Sequence, residues 1–247
     1  MDDPVCIPMD ITVSLDEYGM VTITGEDIDG GSSAGCETIT DLDANPDFFG
    51  CNDVGDQNVT LTVTSSNGNT STCVAIVTVQ DTTPPTIMCN ADFTVSLDGT
   101  GNVSIVEGDV IASTTDNCSG FVDGISVMDF TCADKGDIEV IATATDASGN
   151  SATCSTTVTV EDNEAPECTL LSGLQFVPDV TVSFAGLVDT FTDNCETGVG
   201  MMLGDTTFTC DDIGMHTLTA MVSDTCGNTN SCETTIEIID DSTPTCI

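Results

Sequence analysis

Apolar and polar residues alternate with a period of two along most of this chain, in short runs. Val140, Ala142 and Ala144 point one way, while Glu139, Ile141, Thr143 and Thr145 point the other. The same register recurs at Val59, Leu61 and Val63, and at Leu218, Ala220 and Val222. A second run follows each of these: Cys73, Ala75, Val77 and Val79; Cys154, Thr156, Val158 and Val160; Cys232, Thr234, Ile236 and Ile238. Such alternation predicts β-strands with one buried face. Asn67-Gly68-Asn69, Ser148-Gly149-Asn150 and Cys226-Gly227-Asn228 lie between the paired runs and predict tight turns. Earlier in each copy a further hairpin is expected. It joins residues 11–15 to 21–24 around Asp16 and Gly19, and residues 93–97 to 103–106 around Asp98 and Gly101. The third copy has a tighter turn at Pro178-Asp179. No segment keeps a helical period.

The cysteines show that this pattern is written three times. Cys36-(14)-Cys51-(21)-Cys73, Cys118-(13)-Cys132-(21)-Cys154 and Cys195-(14)-Cys210-(21)-Cys232 repeat one spacing, and Cys6, Cys89 and Cys168 open the copies. A fixed period near 80 residues means an array of small units. The expected repeats are residues 1–80, 81–161 and 162–240, with 241–247 starting another. Short strands, Gly/Asn turns and no helix predict an all-β tandem array of three Ig-like β-sandwich domains stapled by disulfides. Together with the start Met1-Asp2-Asp3, which lacks a signal peptide, the opening at Cys246 suggests a segment of a longer secreted chain.

Composition narrows the setting. Units this small bury limited apolar surface and usually need staples. Of the 14 Cys, twelve occupy the repeated positions, an even number per unit, which points to an oxidising compartment. Zinc favours close pairs such as CxxC, and none occurs. In a seven-stranded sandwich the first and last strands run side by side, so we expect Cys6–Cys73, Cys89–Cys154 and Cys168–Cys232. The remaining pairs would then be Cys36–Cys51, Cys118–Cys132 and Cys195–Cys210, although four cysteines allow three pairings. Cys226 and Cys246 have no assigned partner. Cys226 is either free, bonded to another chain, or exchanged locally with Cys232.

Against 42 Asp and Glu stands one Lys, with a formal net charge of −41. Nothing here can neutralise phosphate, which excludes nucleic acid and anionic membranes as direct partners. Self-repulsion of this size calls for screening salt or bound cations. The scarcity of Lys and Arg leaves trypsin-like proteases one cleavage site, Lys135. No apolar run is long enough for a membrane span, so no direct membrane insertion is expected.

Several motifs carry a family resemblance. Asp116-Asn117-Cys118, the run from Phe130 to Gly136, the run from Ala144 to Cys154, and Val158-Thr159-Val160-Glu161-Asp162 before a proline resemble the hyalin-type (HYR) repeat. The run from Ile23 to Ser33 resembles the version repeated in giant surface adhesins of gliding Bacteroidetes. The resemblance spans essentially the whole chain. It implies an Ig-like domain, secretion, cell-surface display and a role in adhesion or gliding. The first repeat departs from it at Ala34-Gly35, where the others have Asp-Asn.

Oxygen ligands gather at the repeat junctions. If both loops of a repeat face the junction entering it, Asp81 meets Asp116, Asn117 and Asp146. Likewise Asp162, with Glu164, meets Asp193, Asn194 and Asp224. Clustered carboxylates repel unless a cation joins them, and calcium accepts six to eight oxygens from flexible loops. The first repeat has Ala34 for Asp116 and Ser65 for Asp146, so two ligands are lost together. The competing account is that Asp and Asn simply close turns through Asx-type bonds.

Catalysis has little to work with. The single histidine, His216, reads as an exposed residue at a strand entrance, and no Ser or Cys nucleophile has a histidine partner. Lys135 reads as a solvated turn residue. We therefore expect no enzyme but a structural stalk or filament segment of a large extracellular adhesin at the cell surface. Its partners would be neighbouring repeats of the same chain and other filament chains. The alternatives are a subunit of a polymer cross-linked through Cys226 and Cys246, or a carbohydrate- or protein-binding module. The second alternative would use an irregular segment from Thr38 to Phe49 with exposed Phe48 and Phe49.

Overall fold

In the computed structural model, which describes residues 3–240, the alternating runs become the long strands of three β-sandwich repeats. In the first repeat β1 (Ile11–Ser14), β2 (Met20–Thr22), β3 (Ile39–Asn45), β4 (Phe48–Gly50), β5 (Gly55–Ser65) and β6 (Thr70–Gln80) form two layers. One sheet runs in the order β1-β6-β5-β3, and the other pairs β2 with β4. The first strand lies parallel to the last, with Ile11 opposite Val77 and Val13 opposite Val79. Between the layers sit Val59, Leu61, Val63, Ala75 and Val77, each fully buried, with Phe49, Ile23 and Ile28 from the second layer. The alternating face read from the sequence is therefore the core face.

The second and third repeats follow the same plan. Their strands are β7 (Thr86–Cys89), β8 (Phe93–Ser96), β9 (Asn102–Ser104), β10 (Ile111–Thr115), β11 (Val122–Ile125), β12 (Asp129–Thr131), β13 (Gly136–Thr145), β14 (Ser151–Glu161), β15 (Glu167–Leu170), β16 (Leu174–Phe176), β17 (Val180–Thr181), β18 (Val188–Thr192), β19 (Thr197–Leu203), β20 (Thr207–Phe208), β21 (Gly214–Asp224) and β22 (Thr229–Ile238). The parallel pairing recurs as β8 on β14 and β16 on β22. One-turn helices, α1 (Glu107–Val110) and α2 (Phe184–Leu187), bury Val110 and Leu187. The third core holds Val182, Leu187, Phe208, Leu218, Ile236 and Ile238. The architecture is an all-β array of three Ig-like, disulfide-stapled sandwiches.

Packing divides the described residues into two compact units. The first takes residues 3–91, 106–126 and 140–156; the second takes 92–105, 127–139 and 157–240. Each unit thus holds one outer repeat and part of the middle one. β13 and β14 run through both units; β11 lies along β13 in the first, and β8 along β14 in the second.

The structure corrects two local expectations. The early strands are not paired hairpins. A hydrogen-bonded turn joins them, with Asp16 and Asp98 N–H donating to the Met20 and Asn102 carbonyls. They then diverge into different sheets, β1 to β6 and β2 to β4, β8 to β14 and β9 to β12. Each strand is short, and the larger apolar surface lies on the long strands, not on its neighbour. The segment from Thr38 to Phe49 is also regular: it forms β3 and β4, and Phe49 is only 1% exposed while Phe48 faces solvent. Strand alternation puts the second aromatic ring into the core, which leaves no aromatic pair for a ligand.

Candidate functional site

The cysteines join repeats to one another. Cys6–Cys73, Cys89–Cys154 and Cys168–Cys232 form within repeats, between the opening segment and the last strand. The other bonds are Cys51–Cys118 and Cys132–Cys195. This corrects the expected Cys36–Cys51, Cys118–Cys132 and Cys195–Cys210: Cys36, Cys210 and Cys226 are free and exposed. Cys246 lies outside the described residues. The physical reason is directional. Cys51 and Cys132 each begin a one-turn 3-10 helix, Cys51–Asp53 and Cys132–Asp134, whose thiol faces the loop of the next repeat. Cα–Cα distances of 5.5 and 5.4 Å suit a disulfide. Cys118, 9% exposed, packs into the apolar cluster of the first repeat.

Around each inter-repeat bond the same clamp is built. The Asn117 side-chain amide donates to the Asp16 carbonyl (3.0 Å) and to Asp81 Oδ1 (3.3 Å). In the second unit Asn194 donates to the Asp98 carbonyl (3.0 Å) and to Asp162 Oδ1 (3.2 Å). Asn150 Nδ2 bridges the Asp81 carbonyl and Asp146 Oδ2, and Asn228 Nδ2 bridges the Asp162 carbonyl and Asp224 Oδ2. Asn150 and Asn228 were not foreseen as site residues, because their Gly-Asn setting is already explained by a turn. Gly19 and Gly101 also do more than turn. Both have positive φ, and a Cβ on either would lie 2.6 Å from the disulfide sulfur of Cys51 or Cys132.

Carboxylates converge beside these clamps. Ligand oxygens of Asp81, Asp116 and Asp146 lie within 4.8 Å of one another in the first unit. Asp81 and Asp146 are buried, and one oxygen of Asp116 and the Asn117 Oδ1 are buried without a hydrogen-bond partner. Burial pushes the Asp146 carboxyl up. The Asn150 amide and the backbone N–H groups of Asn150, Ser148 and Gly149 outweigh this, so its pKa falls below the ordinary range. In the second unit the trio is Asp162, Asp224 and Cys226. Asp224 is lowered in the same way, against burial, by Asn228 and by the N–H groups of Asn228, Gly227 and Cys226.

Asp193 uses one oxygen to accept the N–H of Cys195 and Glu196, and its other oxygen is buried without a partner, as are Asp162 Oδ2 and Asn194 Oδ1. Glu164 stands apart from the trio, lining a cleft of about 280 Å³ with Glu167, Thr192, Asp193 and Asn194. A cleft of the same volume in the first unit is lined by Glu17, Thr83, Pro84, Thr86, Thr115, Asp116 and Asn117.

The two clusters differ in their counter-charge. Lys135 is half-buried beside the second. Burial lowers its pKa, but the Cys226 thiol and the charges of Glu196 and Asp162 raise it above the usual lysine value. This corrects the reading of Lys135 as a solvated turn residue: the one lysine of the chain, which has no arginine, sits where acids crowd. Val54 lies beside Asp81, Ala147 and Ser148 in the first unit. His216 is likewise not exposed: its ring packs on Phe208 at 5.0 Å and contacts the Asp212 carbonyl, much as Gln57 donates to the Asp53 carbonyl. In the first repeat Ser65 replaces the acid, closing its turn through Asn67 and the Asn69 carbonyl.

No protein-family model matches the chain, and a search of curated proteins finds no match. Among solved structures it is similar to the I-band fragment I67–I69 of titin, at 12% identity, 97% of this chain, 100% of that one and TM-score 0.44. It is also similar to mouse cadherin-23 EC22-24, at 14% identity, 97% of this chain, 100% of that one and TM-score 0.37. A third is protocadherin gamma B7 extracellular cadherin domains 1–4, at 12% identity, 96% of this chain, 76% of that one and TM-score 0.33. Among the described residues no helix is long and apolar enough to cross a membrane.

Proposed function

We propose that this chain is a structural stalk segment of a large extracellular adhesin or filament, with repeats 1–80, 81–161 and 162–240. Its work is to transmit and resist load. One observation carries this reading: Cys51–Cys118 and Cys132–Cys195 tie each repeat covalently to the next. A binding module would have no need to lock its neighbours, whereas a load-bearing array gains from it at every junction. The motif resemblance to hyalin-type repeats of gliding adhesins supports the cell-surface setting. The disulfides support an oxidising, extracellular location.

We further propose calcium as the junction cation. Asp81, Asp116 and Asp146 offer carboxylate oxygens, and the partnerless oxygens of Asp116 and Asn117 add ligand capacity. Oxygen-only donors in loops suit a hard, flexible cation. Asp162 and Asp224, with Asp193 and Asn194 beside them and Glu164 outside, are the weaker second site, because Lys135 already balances part of its charge.

Melting temperature measured during titration with calcium tests this. With a dissociation constant near 1 mM, typical of extracellular modules, 10 mM calcium stabilises by about 1.4 kcal/mol. Asp116→Ala should remove most of that response while Cys51–Cys118 still forms. A melting temperature indifferent to calcium at constant ionic strength would remove calcium from the proposal and leave the disulfide-locked stalk.

A further inference from the structure

The two junction clusters are built from different donors. In the first unit Asp81, Asp116 and Asp146 bring oxygen alone. In the second the donors are Asp162, Asp224 and the thiol of Cys226, with ligand atoms within 4.8 Å of one another. Cys226 has no counterpart in the other repeats: at the same place in the turn the first has Asn67 and the second Ser148. It sits between β21 and β22 and meets acids of its own unit. We propose that Asp162, Asp224 and Cys226 bind a thiophilic divalent cation of the zinc class. The inference rests on the reading of the junctions as cation sites and deepens it, giving the second junction a metal different from that of the first.

A buried, half-used carboxylate points to the ion. Asp162 is 6% exposed. Its Oδ1 accepts the Asn194 amide at 3.2 Å and the Glu164 N–H at 3.3 Å. Its Oδ2 is buried without a hydrogen-bond partner. A carboxylate oxygen kept from water and unpaired costs free energy, which a cation held in the cluster offsets. Asp224 is fixed from the other side. Its Oδ1 accepts the N–H groups of Gly227 (2.6 Å) and Asn228 (2.8 Å), and its Oδ2 accepts the Asn228 amide at 2.7 Å. These bonds make it a preformed ligand in the turn that also carries Cys226.

Softness and charge select the metal. Calcium takes oxygen ligands, whereas a thiolate is a soft donor that suits zinc. A divalent cation deprotonates a thiol that coordinates it. Two carboxylates and one thiolate then carry three negative charges, which the cation and the neighbouring Lys135 ammonium together balance. In the first unit Val54 and Ser148 stand at the places of Lys135 and Cys226, and the donors there stay hard. Zinc takes four ligands, at about 2.3 Å to sulfur and about 2.0–2.2 Å to carboxylate oxygen, which sets neighbouring donors about 3.3–3.8 Å apart. The donors here close to that spacing by moving about 1 Å, and the exposed Cys226 side chain, which is in no disulfide, supplies the movement. Water entering from the Cys226 side provides the fourth ligand.

The test is cadmium chloride, a spectroscopic stand-in for zinc, titrated into the oxidised, folded chain carrying Cys36→Ser, Cys210→Ser and Cys246→Ser. Thiol titration of that background should count a single thiol, Cys226. Cadmium should give a sulfur-to-metal charge-transfer absorption that saturates at a single ion per chain. Zinc chloride should abolish the absorption by competition and protect the thiol from alkylation, and a large excess of calcium should do neither. Adding Cys226→Ser should remove the absorption. Asp162→Asn, which keeps an oxygen for the Asn194 amide, should weaken binding at least about tenfold. An unchanged melting temperature without metal verifies the fold of each variant, and Cys226→Ser, at an exposed position, decides the matter if Asp162→Asn does not fold. No absorption in the background, absorption that survives Cys226→Ser, an affinity indifferent to Asp162→Asn in the folded protein, or a count of no thiol would overturn the inference. Those results would leave the Asp116-dependent calcium response standing, and a melting temperature indifferent to calcium would leave the cadmium absorption in place.

Discussion

At the scale of single residues, two positions carry more than their sequence context suggests. Asn150 closes a Gly-Asn turn, yet its amide also ties the Asp81 carbonyl to Asp146. Asn150→Ala strands buried acceptors, and a loss of about 1–3 kcal/mol is expected in urea unfolding. Gly19 combines φ +72° with a sulfur 2.6 Å from where its Cβ would sit. Gly19→Ala should hinder the Cys51–Cys118 bond, seen as two additional titratable thiols. Titration has a defined sign here. The lowered pKa values of Asp146 and Asp224 give stability that is present above the ordinary aspartate value of about 3.9. That stability is lost as pH falls through their lowered values. A melting curve without calcium should therefore stay flat with respect to these groups near neutrality and drop only in strong acid.

At the scale of elements, the long hairpins hold each sandwich together. β5 and β6 pair over all but one residue of each, from Gly55 opposite Val79 to Thr64 opposite Thr70, and place Leu61 in the first core with no exposure. Leu61→Ala leaves a cavity in the middle of this apolar cluster. A cost of about 2–5 kcal/mol is expected by chemical denaturation. Val74 lies on the same hairpin but is 53% exposed, so Val74→Ala should change stability by less than about 0.5 kcal/mol. These long alternating elements were legible because period-two burial repeats over many residues. The partners of the early strands are not legible in the same way, because four residues of alternation do not say which neighbour supplies the hydrogen bonds.

At the scale of the whole molecule, acidic repulsion is set against covalent closure. Each inter-repeat bond spans more than 60 residues of sequence. In the chain-entropy model each such closure is worth about 4 kcal/mol. Charge pulls the other way, and its range shrinks from about 30 Å at 0.01 M salt to about 8 Å at 0.15 M. In calcium-free buffer the melting temperature should rise with sodium chloride over this range. After full reduction the rise should be steeper, because the unlocked chain has only screening to oppose repulsion. Differential scanning calorimetry in oxidised and reduced form checks both.

The all-β class, the three-fold repeat, the buried faces and the candidate acids can be read from the chain alone, because each is written in local period, spacing or composition. Asp81, Asp116 and Asp146 could be grouped in advance since turn and junction residues recur at fixed places in every copy. The partners of the middle cysteines and the placement of Lys135 follow from the fold. Spacing measures distance along the chain, whereas a disulfide or a counter-charge obeys distance through space. Cys51 lies nearer in sequence to Cys36, but its helix turns the thiol toward Cys118, and direction is a property of the folded backbone.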